Sequence, residues 1–216
     1  MIVKLLLILV LYSAVFLITE FFYKRGLKSL FTRKICHFGG AAVSLILPYW
    51  FDVKTTIGIS IFFAALLWWA KKKKALGSVN TDNGDSQGAA LFPLGIMISF
   101  VLFVPHQIVI YTGSILILAL ADGVAGLFGQ LYGHKKFYIT GEKTYLGSSL
   151  FFLATSLILL GLIFYVFGFI SWLAIGLAII SALIITLVEA ALGKGWDNVA
   201  IPMVAGTVIY YLFKFL

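Results

Sequence analysis

The stretch "ILILALADGVAGLFGQLYGHKK" (residues 115–136) decides how this chain is read. An uncharged, largely apolar run from Ile108 to Ala121 leads into it; Asp122 interrupts, glycines follow at 123, 126, 129 and 133, and Lys135 and Lys136 close the stretch. The run over about 107–132 is long enough for a helix to cross a bilayer, which takes about 20 residues. A carboxylate in the middle of a bilayer costs about 3 kcal/mol, and less near the interface. A retained acid there calls for a metal ion, a cationic side chain or water in a cavity. Gly126, Gly129 and Gly133 stand four, seven and eleven residues after Asp122, on its helical face. Such a stripe admits a nucleotide or another backbone at close range. Ala125, Gly129 and Gly133 also fit a small-residue seam between helices. The seam accounts for the glycines and leaves Asp122 unexplained.

The rest of the chain carries the same signal. Of its 216 residues, 62% are hydrophobic and 11% charged, and the mean hydropathy is +1.09. A soluble domain is roughly half apolar and a quarter charged. Eight apolar runs fall at about 2–22, 35–51, 55–70, 89–105, 107–132, 146–167, 169–191 and 199–216. No alternating segments of barrel type occur, so backbone satisfaction in lipid calls for helices. The expectation is an all-α, polytopic integral membrane bundle of about eight transmembrane helices, forming one membrane domain over residues 1–216. The first run lacks a strong basic leader and a small-x-small cleavage site, and reads as a membrane helix. The polar segment "KKKKALGSVNTDNGDSQG" (71–88) reads as a mobile loop.

The net charge is +8, and thirteen of the sixteen basic residues lie in alternate connections. That parity places the odd connections, with 71–88 among them, in the cytoplasm and both termini outside. The basic excess thus reads as membrane orientation and attraction to anionic headgroups, not as nucleic-acid binding. Cys36 is the sole cysteine, which excludes an intrachain disulfide.

The same parity gathers the unusual polar residues on one side. In "TRKICHFGG" (32–40), Arg33 and His37 share a helix face and Lys34 adjoins them. The set suits a polyphosphate; the cations also suit a positive-inside anchor, which leaves His37 unexplained. In "HKKFYITGEKTYLGSSL" (134–150), Lys135, Lys136 and Lys143 precede Thr144, Gly147 and Ser148 at a helix start, where hydroxyls and N–H groups favour anions. The order is not that of a Walker A loop, and Thr144 or Ser148 also serves as a plain N-cap. Glu189 lies inside a span, and "GKGWDNVAIP" (193–202) brings Asp197 and Asn198, as metal ligands or as a cap, with Pro202 in the first turn of the last helix. Three carboxylates for a divalent ion, cations for phosphates and a membrane for the second substrate point to phosphoryl transfer to a lipid.

"RKICH", "DGVAGLFGQLYGHKK", "EKTYLGS" and "E…DNVAIP" resemble, in that order, the CTP-dependent prenol kinases, which act on phytol, farnesol, polyprenol and dolichol, with CTP-dependent diacylglycerol kinases as relatives. The resemblance covers roughly residues 30–203 and includes "LFPLG" (91–95). It implies a multi-span helical fold and transfer of the γ-phosphate of CTP, or another nucleotide, to a lipid alcohol with Mg²⁺ or Mn²⁺. The family's Arg-Lys pair and histidine fall on Arg33, Lys34 and His37. Its D-x-x-A-x-x-x-G-x-x-x-G pattern falls on Asp122, Ala125, Gly129 and Gly133, and its K-[ST]-x-x-G-S pattern on Lys143, Thr144, Gly147 and Ser148. Its late acid and D-N…P element fall on Glu189, Asp197, Asn198 and Pro202. One departure is Leu146, where many relatives carry a glutamate; either Glu142 or another group takes its place, or the donor preference differs.

Under this resemblance Asp122, Arg33, Lys34, His37 and Lys143 are the catalytic candidates. Asp122, Glu189 and Asp197 are the metal ligands. Gly126, Gly129, Gly133, Lys135, Thr144, Gly147, Ser148 and Asn198 bind the nucleotide, and Asp122 or His37 accepts the hydroxyl proton. The lipid arrives from the bilayer and the nucleotide from the cytoplasm. Two rivals are a phosphatidate-type cytidylyltransferase, whose late P-G-H-G-G signature is missing here, and a membrane transporter, which calls for midplane acids and matched halves.

Overall fold

The computed structural model describes residues 1–73, 75–79, 87–137 and 143–216. The expectation for 71–88 falls in large part on residues outside these, and so does Glu142. The described residues form helices α1 (Ile2–Lys24), α2 (Ser29–Ser44), α3 (Leu47–Trp50), α4 (Val53–Lys72), α5 (Gly88–Phe103), α6 (Ile108–Leu116), α7 (Asp122–Tyr132), α8 (Tyr145–Phe167), α9 (Trp172–Ala191) and α10 (Asp197–Phe215). A π-helical turn, Ile117–Ala121, joins α6 to α7. Among the described residues there is no strand, and the bridge between Lys136 and Thr144 stands alone.

The structure is the polytopic helical membrane bundle that the hydropathy pattern predicts. Seven segments are long and apolar enough to cross a bilayer: α1, α2 with α3, α4, α6 with α7, α8, α9 and α10. The remaining run, expected over 89–105, is the shorter apolar helix α5. Local chemistry sets several ends. Asp52, Thr144 and Ser171 accept from backbone N–H groups at the starts of α4, α8 and α9. Gly168, at φ +77°, ends α8.

Small residues set the helix spacing, as is usual where lipid supplies no hydrophobic drive between helices. α10 packs against α5, α6 and α9. At Gly95 a Cβ would collide with the backbone carbonyl of Asn198. Pro202 explains why that carbonyl is available. The helix starts at Asp197, earlier than the sequence suggests, so Pro202 is its sixth residue and has no N–H to give Asn198. Tyr111 donates its hydroxyl hydrogen to the Ser44 carbonyl at 2.9 Å, tying α6 to the end of α2.

The odd connections meet at one end of the bundle. Thr32 Oγ1 donates to the Ser78 carbonyl at 2.9 Å, and Ser78 N–H to Glu20 Oε2 at 3.1 Å. Gln87 N–H donates to the Lys194 carbonyl at 3.0 Å, and Asn198 Nδ2 to the Gly88 carbonyl at 2.8 Å. Gly195, at φ +93°, sits so close to Gly88 that a side chain would strike its backbone.

The packing at Gly95 makes a paired prediction. Gly95→Ala drives a methyl into backbone and lowers stability by about 1–3 kcal/mol. Gly161→Ala and Gly176→Ala, where a Cβ meets open space, are neutral or stabilising by up to about 1 kcal/mol. Thermal unfolding of the three variants in one detergent checks this.

Candidate active site

Asp122 opens α7 directly after the π-helical turn. A π-turn shifts the helix register and alters which carbonyls are bonded within it. The carbonyl of Leu118, inside that turn, takes a hydrogen bond from His37 Nε2 at 2.9 Å. A carbonyl can only accept, so Nε2 carries the hydrogen. His37 thereby fastens α2 to the turn before Asp122, and its Nε2 lies 3.8 Å from Asp122 Oδ2. One turn earlier on α2, Lys34 Nζ donates to the Asp122 backbone carbonyl at 3.1 Å and to Oδ2 at 3.3 Å. Lys34 passes directly over Gly126, where a Cβ would lie 2.9 Å from Lys34 Cε.

The other side of Asp122 faces Lys143. Residues 135–137 and 143–145 pair in antiparallel fashion, Phe137 N–H donating to the Lys143 carbonyl and Tyr145 N–H to that of Lys135. This pairing delivers the Lys143 ammonium between three carboxylates from three helices. Its Nζ lies 2.8 Å from Glu189 Oε1 on α9, 2.9 Å from Asp197 Oδ2 on α10 and 3.7 Å from Asp122 Oδ1 on α7. Ser148 Oγ donates to the other oxygen of Glu189 at 2.8 Å, and Glu189 is only 2% exposed. Burial works against the charge on Lys143. The carboxylates of Asp197, Asp122 and Glu189 outweigh it and hold the ammonium well above the ordinary lysine pKa. Lys143 is therefore a cation throughout the neutral range.

These groups line one end of a cavity of about 590 Å³. Asp122, Glu189 and Asp197 supply the negative charges lining it, and Arg33, Lys34, Lys136, Lys143 and Lys194 the positive ones. Cationic groups outnumber acids by two, a balance suited to a polyanion. Gly126, Gly129, Thr144, Gly147, His37 and Asn198 also line the cavity. Gly129 does a second job: a Cβ there would meet Thr144 Oγ1 at 2.8 Å and Gly147 Cα at 3.2 Å, so α7 and the start of α8 touch across it. Gly133 faces Thr144 in the same contact. Ser148 is turned to Glu189; Lys135 and Lys136 are both exposed, and of the two only Lys136 lines the cavity. The alternation of an extended pair separates these two lysines, a distinction that a run of charge does not carry. Lys194, held at φ +56°, and Gly88 join the cavity through the contact between the third and seventh connections, which has no local signature.

The donor set bears on a metal ion. Among the described residues no three acidic, histidine or cysteine side chains are gathered as a ready cage; the carboxylates stand apart around an ammonium. Mg²⁺ is commonly held by one or two carboxylates with substrate phosphate oxygens completing its shell. The residues fit an ion of that kind.

The clamp makes a stability prediction. Lys143→Met leaves the buried Glu189 and the partly buried Asp197 without their cation and costs about 3–5 kcal/mol. Adding Asp197→Asn restores part of that loss. Thermal melting of the single and double variants in detergent reads both effects.

No protein-family model matches the chain, and no solved structure does. Among curated proteins, the chain is similar to the phytol kinase of Synechocystis sp., at 27% identity over 176 residues. The matched region covers 80% of this chain and 75% of that protein.

Proposed function

We propose that this chain is a prenol-type lipid kinase that transfers the γ-phosphate of CTP to the hydroxyl of a membrane isoprenoid alcohol. The observation that carries the reading is the joint environment of Asp122. A buried carboxylate faces Lys34, His37 and Lys143, shares Lys143 with two further acids, and opens on a cavity with a cationic excess. Similarity to a phytol kinase supports the reaction class and an isoprenoid acceptor. The nucleotide base rests on the motif resemblance, and the cytoplasmic side of the active site rests on the charge parity of the connections.

In this reading the acceptor hydroxyl lies beside Asp122. Its oxygen attacks the γ-phosphorus, the bond to the β,γ-bridging oxygen breaks, and CDP leaves. The hydroxyl proton passes to Asp122; the His37 nitrogen nearest that carboxylate, Nε2, carries the hydrogen it donates to Leu118. Lys34, Arg33 and Lys143 balance charge spreading over the phosphoryl oxygens. Asp197 with Asp122 or Glu189 would hold Mg²⁺ or Mn²⁺, which would supply further charge neutralisation. A transporter is disfavoured because the acids gather at one end of the bundle, beside the connections.

Purified protein in detergent, given γ-labelled CTP and a panel of farnesol, geranylgeraniol, phytol, polyprenol and diacylglycerol, transfers label to one organic-phase product and releases CDP. Chelation of divalent ions stops the transfer and added Mg²⁺ restores it. Asp122→Asn lowers turnover by about 100-fold or more and leaves the protein folded. Release of pyrophosphate with a CDP-lipid would overturn the kinase reading in favour of a cytidylyltransferase.

A further inference from the structure

The cavity does not stop at its charged residues. Past His37 and Phe92, whose ring centroids are 4.7 Å apart, it continues between α1, α2, α4 and α5. Its walls there include Tyr12, Phe16, Ile59, Phe63, Phe92 and Ile96. No charged side chain lines this stretch among the described residues. It is narrow where α2 meets α5: a Cβ on Gly40 would lie 3.2 Å from Phe92 Cε1. It has a floor, because Tyr12 and Phe63 touch with centroids 4.7 Å apart, and Ile8, one turn before Tyr12, is fully buried. It also has a weak side. α1 buries Ile8, Tyr12 and Thr19, and it meets α4 where Tyr12 and Phe16 reach Phe63.

We infer that this apolar arm holds the first two isoprene units of the acceptor alcohol, and that the Tyr12–Phe63 pair turns the rest of the tail out between α1 and α4. The ligand's nature rests on the kinase reading above; the arm itself rests on geometry. Gly88, at the charged end, and Ile96, deep in the arm, are eight residues apart on α5, a depth of about 12 Å at 1.5 Å per residue. That is the reach of roughly eight to ten bonds of an extended carbon chain with ~1.5 Å bonds. Two isoprene units fill it. A longer tail meets the paired rings and leaves where α1 is most lightly held, into lipid. The chain therefore reads the hydroxyl-proximal units and is indifferent to length beyond them. The free energy of burying apolar carbons grows with contact area, so discrimination ends where the arm ends.

The test uses the full chain in mixed micelles at fixed surface fractions of alcohols of one, two, three, four and eleven isoprene units. Turnover efficiency rises at least tenfold from one unit to two and is level from three units upward. Ser60→Phe and Ile96→Phe, which fill the arm from α4 and α5, raise the KM for the four-unit alcohol at least tenfold and leave the KM for CTP within twofold. Independently of activity, a two-unit alcohol bearing a diazirine at its far end labels, in the wild-type protein, the segments around Tyr12 and Phe63. Labelling there without phosphorylation of any prenol would sustain the arm and sink the kinase reading. Phosphorylation with a tail label elsewhere, efficiency still climbing at eleven units, and unchanged KM in both filled variants would overturn the arm and spare the kinase.

Discussion

The structure turns on one ammonium group. Lys143 Nζ is the point at which α7, α9 and α10 each present a carboxylate. Acids buried in a bundle of this composition are tolerable only when paired. Glu189 is the extreme case: almost wholly buried, with one oxygen on Lys143 and the other on Ser148. The ion pairs therefore fix how deep each helix sits relative to its neighbours. They do so from a short extended pairing outside the helices, 135–137 against 143–145, which makes the connection between α7 and α8 part of the bundle's architecture.

A second clamp works from the opposite side. α2 holds the start of α7 twice, through Lys34 on the Asp122 carbonyl and carboxylate and through His37 on Leu118. The π-helical turn makes the second hold intelligible. A regular helix would pair the Leu118 carbonyl within its own turn; the π-turn relaxes that pairing and His37 uses the result. Irregular backbone in a spanning helix is tolerated where side chains re-satisfy it. Asp122 is thus pinned through its backbone as well as its side chain, and the same contacts that stabilise the charge also orient it toward the cavity.

Much of this was legible in the sequence, and for physical reasons. Hydropathy runs and the alternation of charge between connections are local properties, so the helical bundle and the gathering of the odd connections at one end could be read from them. The i, i+4 spacing of Arg33 and His37, and the glycine stripe after Asp122, are likewise properties of one helix. What could not be read is how helices meet. Nothing in "ILALA" announces a π-turn. Nothing near Gly129 says that it faces Thr144 and Gly147 as well as the cavity. Lys136 is separated from Lys135 by strand alternation, and Lys194 joins the cavity through a contact with residues a hundred positions away. The apolar arm is the clearest case. Tyr12, Phe63, Phe92 and Ile96 come from three helices, and as residue types each is ordinary core.

The balance of charge ties these features together. The cavity's charged end carries five cationic side chains against three acids, yet two of those cations, Lys34 and Lys143, are committed to the acids by direct contact. A polyphosphate bound there would enter a site whose centre holds three acids against two cations and whose rim is positive. Its charge would be drawn to the rim first, from Arg33, Lys136 and Lys194, and reach the central pairs only at closest approach. The apolar arm opens from the other side of that centre, past His37 and Phe92. In the proposed reading a hydroxyl at the tip of an isoprenoid and a phosphorus at the tip of a nucleotide each arrive from the phase that dissolves it, and Asp122 stands where the two routes meet. Such a junction requires the acid to sit at the border of the apolar region: a residue fully in water would lose the field that its lysines supply, and one at the midplane would be beyond the reach of a triphosphate.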